Sequence, residues 1–105
     1  MPSQIDPSRF TDKTFTRRST FPDSVNDYRV MIDSLTAGRI LQMQVSGGAM
    51  KWLWTIGGPY LPPELQRGNG QVETLEQAQE AFKAKFWQWH SSALAHRTGA
   101  YWHGE

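Results

Sequence analysis

The chain contains no cysteine, which excludes disulfides and thiolate metal sites and removes the usual framework of small secreted domains. A reducing cytoplasm is the compartment this absence points to. Long hydrophobic runs are missing as well: Met1 to Phe10 carries Gln4, Asp6 and Arg9, so neither a signal peptide nor a membrane anchor is expected there. There is also no excess of charge of one sign, because eleven Lys and Arg face ten Asp and Glu for a net charge of +1. Such a chain exerts no global pull on nucleic acid or an anionic membrane, and binding of that kind needs a local patch.

What is present argues for a folded core. Hydrophobic residues make up 38% of the 105 positions and aromatics 12%, with five tryptophans, too apolar a mixture for a wholly disordered chain. The length fits one small domain. Residues 1 to 26 combine Pro2, Pro7 and Pro22 with many Ser and Thr and show no apolar period, so they read as a flexible N-terminal tail. That tail carries Phe10, Phe15 and Phe21 near Arg17 and Arg18, a pattern suited to docking on the domain or on a partner. Residues 27 to 98 read as a single α+β domain, and 99 to 105 as an aromatic C-terminal tail holding Tyr101 and Trp102.

Within the domain, Tyr28 to Asp33 alternates, with Tyr28, Val30 and Ile32 opposed to Arg29, Met31 and Asp33, the signature of a strand. Ser34 to Gly38 supplies turn residues and Arg39 to Val45 resumes the alternation. Ser46, Gly47 and Gly48 make the next turn, since adjacent glycines accept positive φ. Met50 to Ile56 sets Met50, Trp52, Trp54 and Ile56 on one face and carries the largest apolar side chains of any strand. Gly57 to Gly70, with three prolines and four glycines, reads as a long loop. Thr74 and Gln77 then have capping-box spacing, and Leu75, Ala78, Phe82, Phe86, Trp89 and Ala93 recur every three or four residues along a helix. His96 and Arg97 fall in its last turn, and Gly99 is placed to cap it. The expected architecture is a three-stranded antiparallel sheet followed by one long amphipathic helix packed on one face.

The residue types that carry chemistry do not assemble. His90 and His96 are six positions apart and diverge by about 120° around a helix, so surface or helix-end histidines are expected and no metal site is assigned. No G-x-S-x-G elbow is present, Glu73, Glu76 and Glu80 have a capping explanation, and Gly47 and Gly48 lack phosphate-loop spacing. Catalytic and cofactor-binding residues are therefore assigned to none, no cofactor is expected, and the reading leans away from an enzyme; only the length of the 57 to 70 loop suggests a lid. Pro59 to Pro62 has P-x-x-P spacing, for which a rigid connection is the simpler reading.

The sheet poses a sharper question. One helix covers one face, yet Tyr28, Val30, Ile32, Trp52 and Trp54 occupy one side while Met31, Ile40 and Leu53 are available for the other. Something must cover that second side: the loop, the aromatic ends, another copy of the chain or a different protein. The expected contacts are Arg29, Met31, Arg39 and Lys51 on the sheet, Tyr60 in the loop, and Trp87, which lies off the helix's apolar stripe.

The segments WLWTIGGPYLPPEL (52 to 65) and ETLEQAQEAFKAKFWQW (73 to 89) resemble those of short bacterial proteins that join a Trp-rich strand and a Gly-Pro-Pro loop to a helix opened by T-L-E-x-A. That resemblance implies a fold plan and no activity. In coarse plan the chain is also similar to the three-stranded DNA-binding domains of integrases and plant ethylene-response factors, and to HicB-like antitoxins. The former likeness implies Arg29, Arg39, Lys51 and Trp52 or Trp54 as groove contacts, from which Asp33 and two glutamines of the strands depart; the HicB-like likeness implies continuation into a DNA-binding tail, where this sequence has AYWHGE. The function expected is a non-enzymatic interaction module binding a protein partner or itself through the uncovered sheet face. Nucleic-acid binding through Arg, Lys and Trp of the sheet is the second expectation.

Overall fold

The helix is the element most directly set by its sequence. In the computed structural model, which describes residues 3–61, 65, 68–96 and 101–102, helix α1 spans Leu75–His96. Its start is a reciprocal capping box: the Gln77 amide donates to Thr74 Oγ1 at 3.1 Å while the Thr74 amide donates to Gln77 Oε1 at 3.1 Å. The Glu73 amide adds a third bond to Gln77 Oε1, at 3.0 Å. Ala78, Phe82, Phe86, Trp89 and Ala93 are all buried along one stripe. Arg97 and Gly99, expected at the end of the helix, lie outside the described residues.

The stripe packs on a five-stranded antiparallel meander, two strands more than the sequence suggested. In spatial order these are β2 (Phe15–Ser19), β3 (Asp27–Ile32), β4 (Leu35–Gln44), β5 (Met50–Ile56) and β6 (Asn69–Val72). A separate two-stranded ribbon pairs β1 (Ser3–Gln4) with β7 (Tyr101–Trp102). The two added strands have the weakest signals for physical reasons. In β2 only Phe15 is an apolar inward residue, because Arg17 sits beyond the cover of the helix, where its guanidinium lies over the Tyr28 ring at 4.5 Å. In β6 the position facing Trp54 is Gly70, where a Cβ would stand 2.8 Å from the indole nitrogen, so no alternating side chain marks the strand.

Residues 1 to 26, read as a flexible tail, instead supply β1, β2 and a 3-10 turn at Pro7–Phe10. Phe10 is wholly buried, stacked on Trp102 at 5.1 Å and edge-on to Phe86 at 5.8 Å. An ion pair from Arg9 Nε to Asp33 Oδ2, at 2.9 Å, ties this turn to the β3–β4 hairpin. The aromatic end follows the same logic: Trp102 is 1% exposed and fills the space between Phe10, Phe86 and Trp89. The described parts of both terminal segments therefore complete the core on the helix side of the sheet.

The β3–β4 turn is tighter than the Ser34 to Gly38 stretch implied. Asp33 and Ser34 alone form it, with φ of 48° and 68°, as a two-residue hairpin with two left-handed positions requires. The extra chain length is absorbed by a bulge at Ala37, where the register shifts between Val30↔Gly38 and Met31↔Thr36. The bulged Ala37 carbonyl accepts the amides of Gly57 and Gly58 at 2.9 and 3.0 Å, which anchors the start of the long connection. At the β4–β5 turn Gly47 and Gly48 take φ of 85° and 84°, the role their adjacency suggested.

Candidate functional site

The bulge sets the parity of the sheet. With Tyr28 opposite Ile40 and Ile40 opposite Trp54, these residues share the helix side, and Ile40 is 2% exposed. Ile40 is therefore core, not part of the second face as its place in the alternation suggested. Trp52 and Trp54 are buried on the same side, so they offer no rings for stacking on a base. His90 likewise departs from expectation: it is 7% exposed rather than a surface histidine, packs edge-on to Trp87 at 5.0 Å and hydrogen-bonds to the Pro7 backbone. Thr11 Oγ1 stands 3.4 Å from its Nε2. Burial pushes its pKa below the ordinary value, and the Pro7 bond opposes that in part. The side chain of His96 and all of His103 lie outside the described residues, and no three His, Asp or Glu gather as a metal site among the described residues.

On the other side of the sheet no described element covers the strands, and this open face collects most of the predicted contacts. Register places Arg18, Arg29 and Arg39 directly abreast on β2, β3 and β4, with Thr55 next on β5. Strands lie about 4.8 Å apart, so three guanidinium stems run side by side across the face. Around them stand half-buried Met31, Leu41 and Leu53 and exposed Met43. A shallow depression of about 430 Å³ is bordered by Arg29, Arg39, Leu41 and Thr55.

Two of the four cations on this face are neutralised locally. Arg39 makes a bidentate pair with Asp27, Nε to Oδ1 at 2.8 Å and Nη2 to Oδ2 at 2.6 Å, and Thr20 Oγ1 donates to the same carboxylate at 2.7 Å. The Arg39 guanidinium holds the Asp27 pKa below its usual value, and Asp27 in turn raises that of Arg39. Lys51 is paired with Glu73. Arg18 and Arg29 have no carboxylate partner among the described residues.

The remaining two predicted contacts are elsewhere. Trp87 is half-buried and packs against Phe15 at 5.6 Å and Phe86 at 5.1 Å, so its place off the helix stripe is explained by the edge strand β2. Tyr60 is 40% exposed and its amide donates to the Tyr101 carbonyl at 3.0 Å, beside the terminal ribbon. Pro62 and Pro63 of the P-x-x-P stretch lie outside the described residues. Arg18 was marked in the sequence only as part of a tail suited to docking and not as a sheet contact, because its strand carries no apolar alternation. No helix among the described residues is long and apolar enough to cross a membrane. No family model, no curated protein and no solved structure matches this chain.

Proposed function

We propose that this chain is a non-enzymatic interaction module that binds an acidic protein surface through the open face of its sheet. The observation that carries the reading is the Arg18, Arg29, Arg39 row. Like charges placed directly opposite on neighbouring strands weaken a sheet, and among the described residues only Arg39 of the three has a carboxylate to offset the repulsion. Side chains that break a local folding rule without internal compensation mark functional positions. The apolar residues between the cations favour a protein over a nucleic acid: Arg and Met are enriched at protein interfaces, whereas nucleic-acid interfaces are more polar and more positive. Two uncompensated arginines and no available tryptophan are a small provision for a phosphate backbone. Self-association through this face would set two arginine rows against each other, so a different protein fits better than a second copy.

A photo-crosslinking residue at Leu53, in the full chain expressed in its native cell, tests this. The expected product joins Leu53 to a segment rich in Asp and Glu, is lost in Arg18→Glu with Arg29→Glu, and is absent when the crosslinker replaces exposed Gln88 on the helix. Equal crosslinking from Leu53 and Gln88, or indifference to the double reversal, would contradict the proposal. Arg29-dependent binding of oligonucleotides at low salt would turn the face over to nucleic acid.

A further inference from the structure

β2 carries adjacent arginines on opposite sides of the sheet. Arg18 joins the open face, while Arg17 turns to the helix side and lies 4.5 Å from the Tyr28 ring centre. There, α1 runs mainly over β5 and β6, touches β2 at Phe15, and leaves a gap beside Arg17 and Tyr28. That gap is a cavity of about 270 Å³. Its floor is apolar and built from core side chains: Val30 is 5% exposed, Ile40 2% and Phe82 1%. The rings of Phe15 and Tyr28 wall it.

The rim has a different character. Arg17 and Lys83 border the cavity from opposite elements, Gln79 lines it from the helix, and no carboxylate among the described residues borders it. Neither cation has an ion-pair partner among the described residues. An apolar floor with a few convergent polar groups is the general form of a small-molecule site, and two unneutralised cations at its mouth select charge.

We propose that this cavity binds a small organic monoanion: an aromatic carboxylate whose ring lies against the half-buried rings of Phe15 and Tyr28, above the floor of Val30, Ile40 and Phe82, and whose carboxylate is held at the rim by Arg17 and Lys83. Arg17 is already oriented by its contact with Tyr28, so part of its ordering is complete before a ligand arrives. This site is separate from the open face and does not depend on the proposed protein interface.

The test is a titration of the 15N-labelled full chain with 2-naphthoate, alongside 2-naphthalenemethanol and inorganic phosphate. The expected result is saturable shifts at Tyr28, Val30, Gln79 and Lys83 with naphthoate, at least ten-fold weaker binding of the neutral alcohol, and none of these shifts with phosphate. Arg17 and Lys83 are exposed, so Arg17→Gln with Lys83→Gln is expected to leave the fold intact and to weaken naphthoate ten-fold or more. No saturable binding at millimolar naphthoate, equal binding of acid and alcohol, shifts confined to another surface, or indifference to the double variant would each overturn the assignment.

Discussion

His90 is a titratable group held where its charged form is disfavoured. The unfolded imidazole takes up a proton near pH 6.5, while the buried one does so only at lower pH, so the unfolded state binds more protons as pH falls through that window. Its contribution to stability is complete above about pH 6.5 and is lost below it. Urea midpoints measured from neutral pH downward are expected to fall across this window, and His90→Gln to flatten the decline; an unchanged decline in the variant would place the sensitivity elsewhere. Phe10 supports a second expectation at this scale. A fully buried phenylalanine in contact with Phe86, Trp89 and Trp102 costs about 3–5 kcal/mol when cut to alanine. Phe10→Ala should therefore lower the unfolding midpoint markedly, whereas loss of a solvated tail residue would leave it unmoved.

Among the elements, α1 was legible almost completely, since its capping box, its apolar stripe and its relation to the sheet all follow from spacing. The central hairpin was legible in its strands and not in its turn, because a bulge at Ala37 breaks the period of two on which the reading of faces rests. β2 and β6 were not legible as strands. Each replaces an expected apolar residue by something the tertiary context demands, Arg17 over Tyr28 in one case and Gly70 under Trp54 in the other. The helix–sheet contact also turns on a glycine: a Cβ at Gly38 would meet both the Thr55 carbonyl and the Phe82 ring. Gly38→Ala is expected to destabilise by about 1–3 kcal/mol, read from chemical denaturation. A neutral result would mean that both the Thr55 carbonyl and α1 can shift away from β4 without cost.

For the whole molecule, the two sides of the sheet differ in character. The helix side gathers the aromatic core and both terminal segments, so the second-face puzzle raised by the sequence is resolved in part by Ile40, Phe10 and Trp102 all going to the first. What remains outside is a basic and partly apolar surface whose central feature, the arginine row, required Arg18 from a strand the sequence did not reveal. The row costs the fold something. Arg29→Glu would sit between Arg18 and Arg39 and convert two repulsive cross-strand pairs into attractive ones. It is expected to raise stability by about 0.2–1 kcal/mol while abolishing capture of an acidic partner, a separation of stability from binding typical of functional positions.

The most direct test of the open face as a binding surface is an NMR titration of the isotopically labelled chain with a short poly-glutamate peptide, following backbone amides and arginine Nε–H groups. Saturable changes at the Arg18 and Arg29 side chains and at Met31, Leu41 and Leu53 are predicted, with the outer face of α1 at Gln88 unmoved. Changes confined to the helix side, or none on the open face at any peptide concentration, would contradict it.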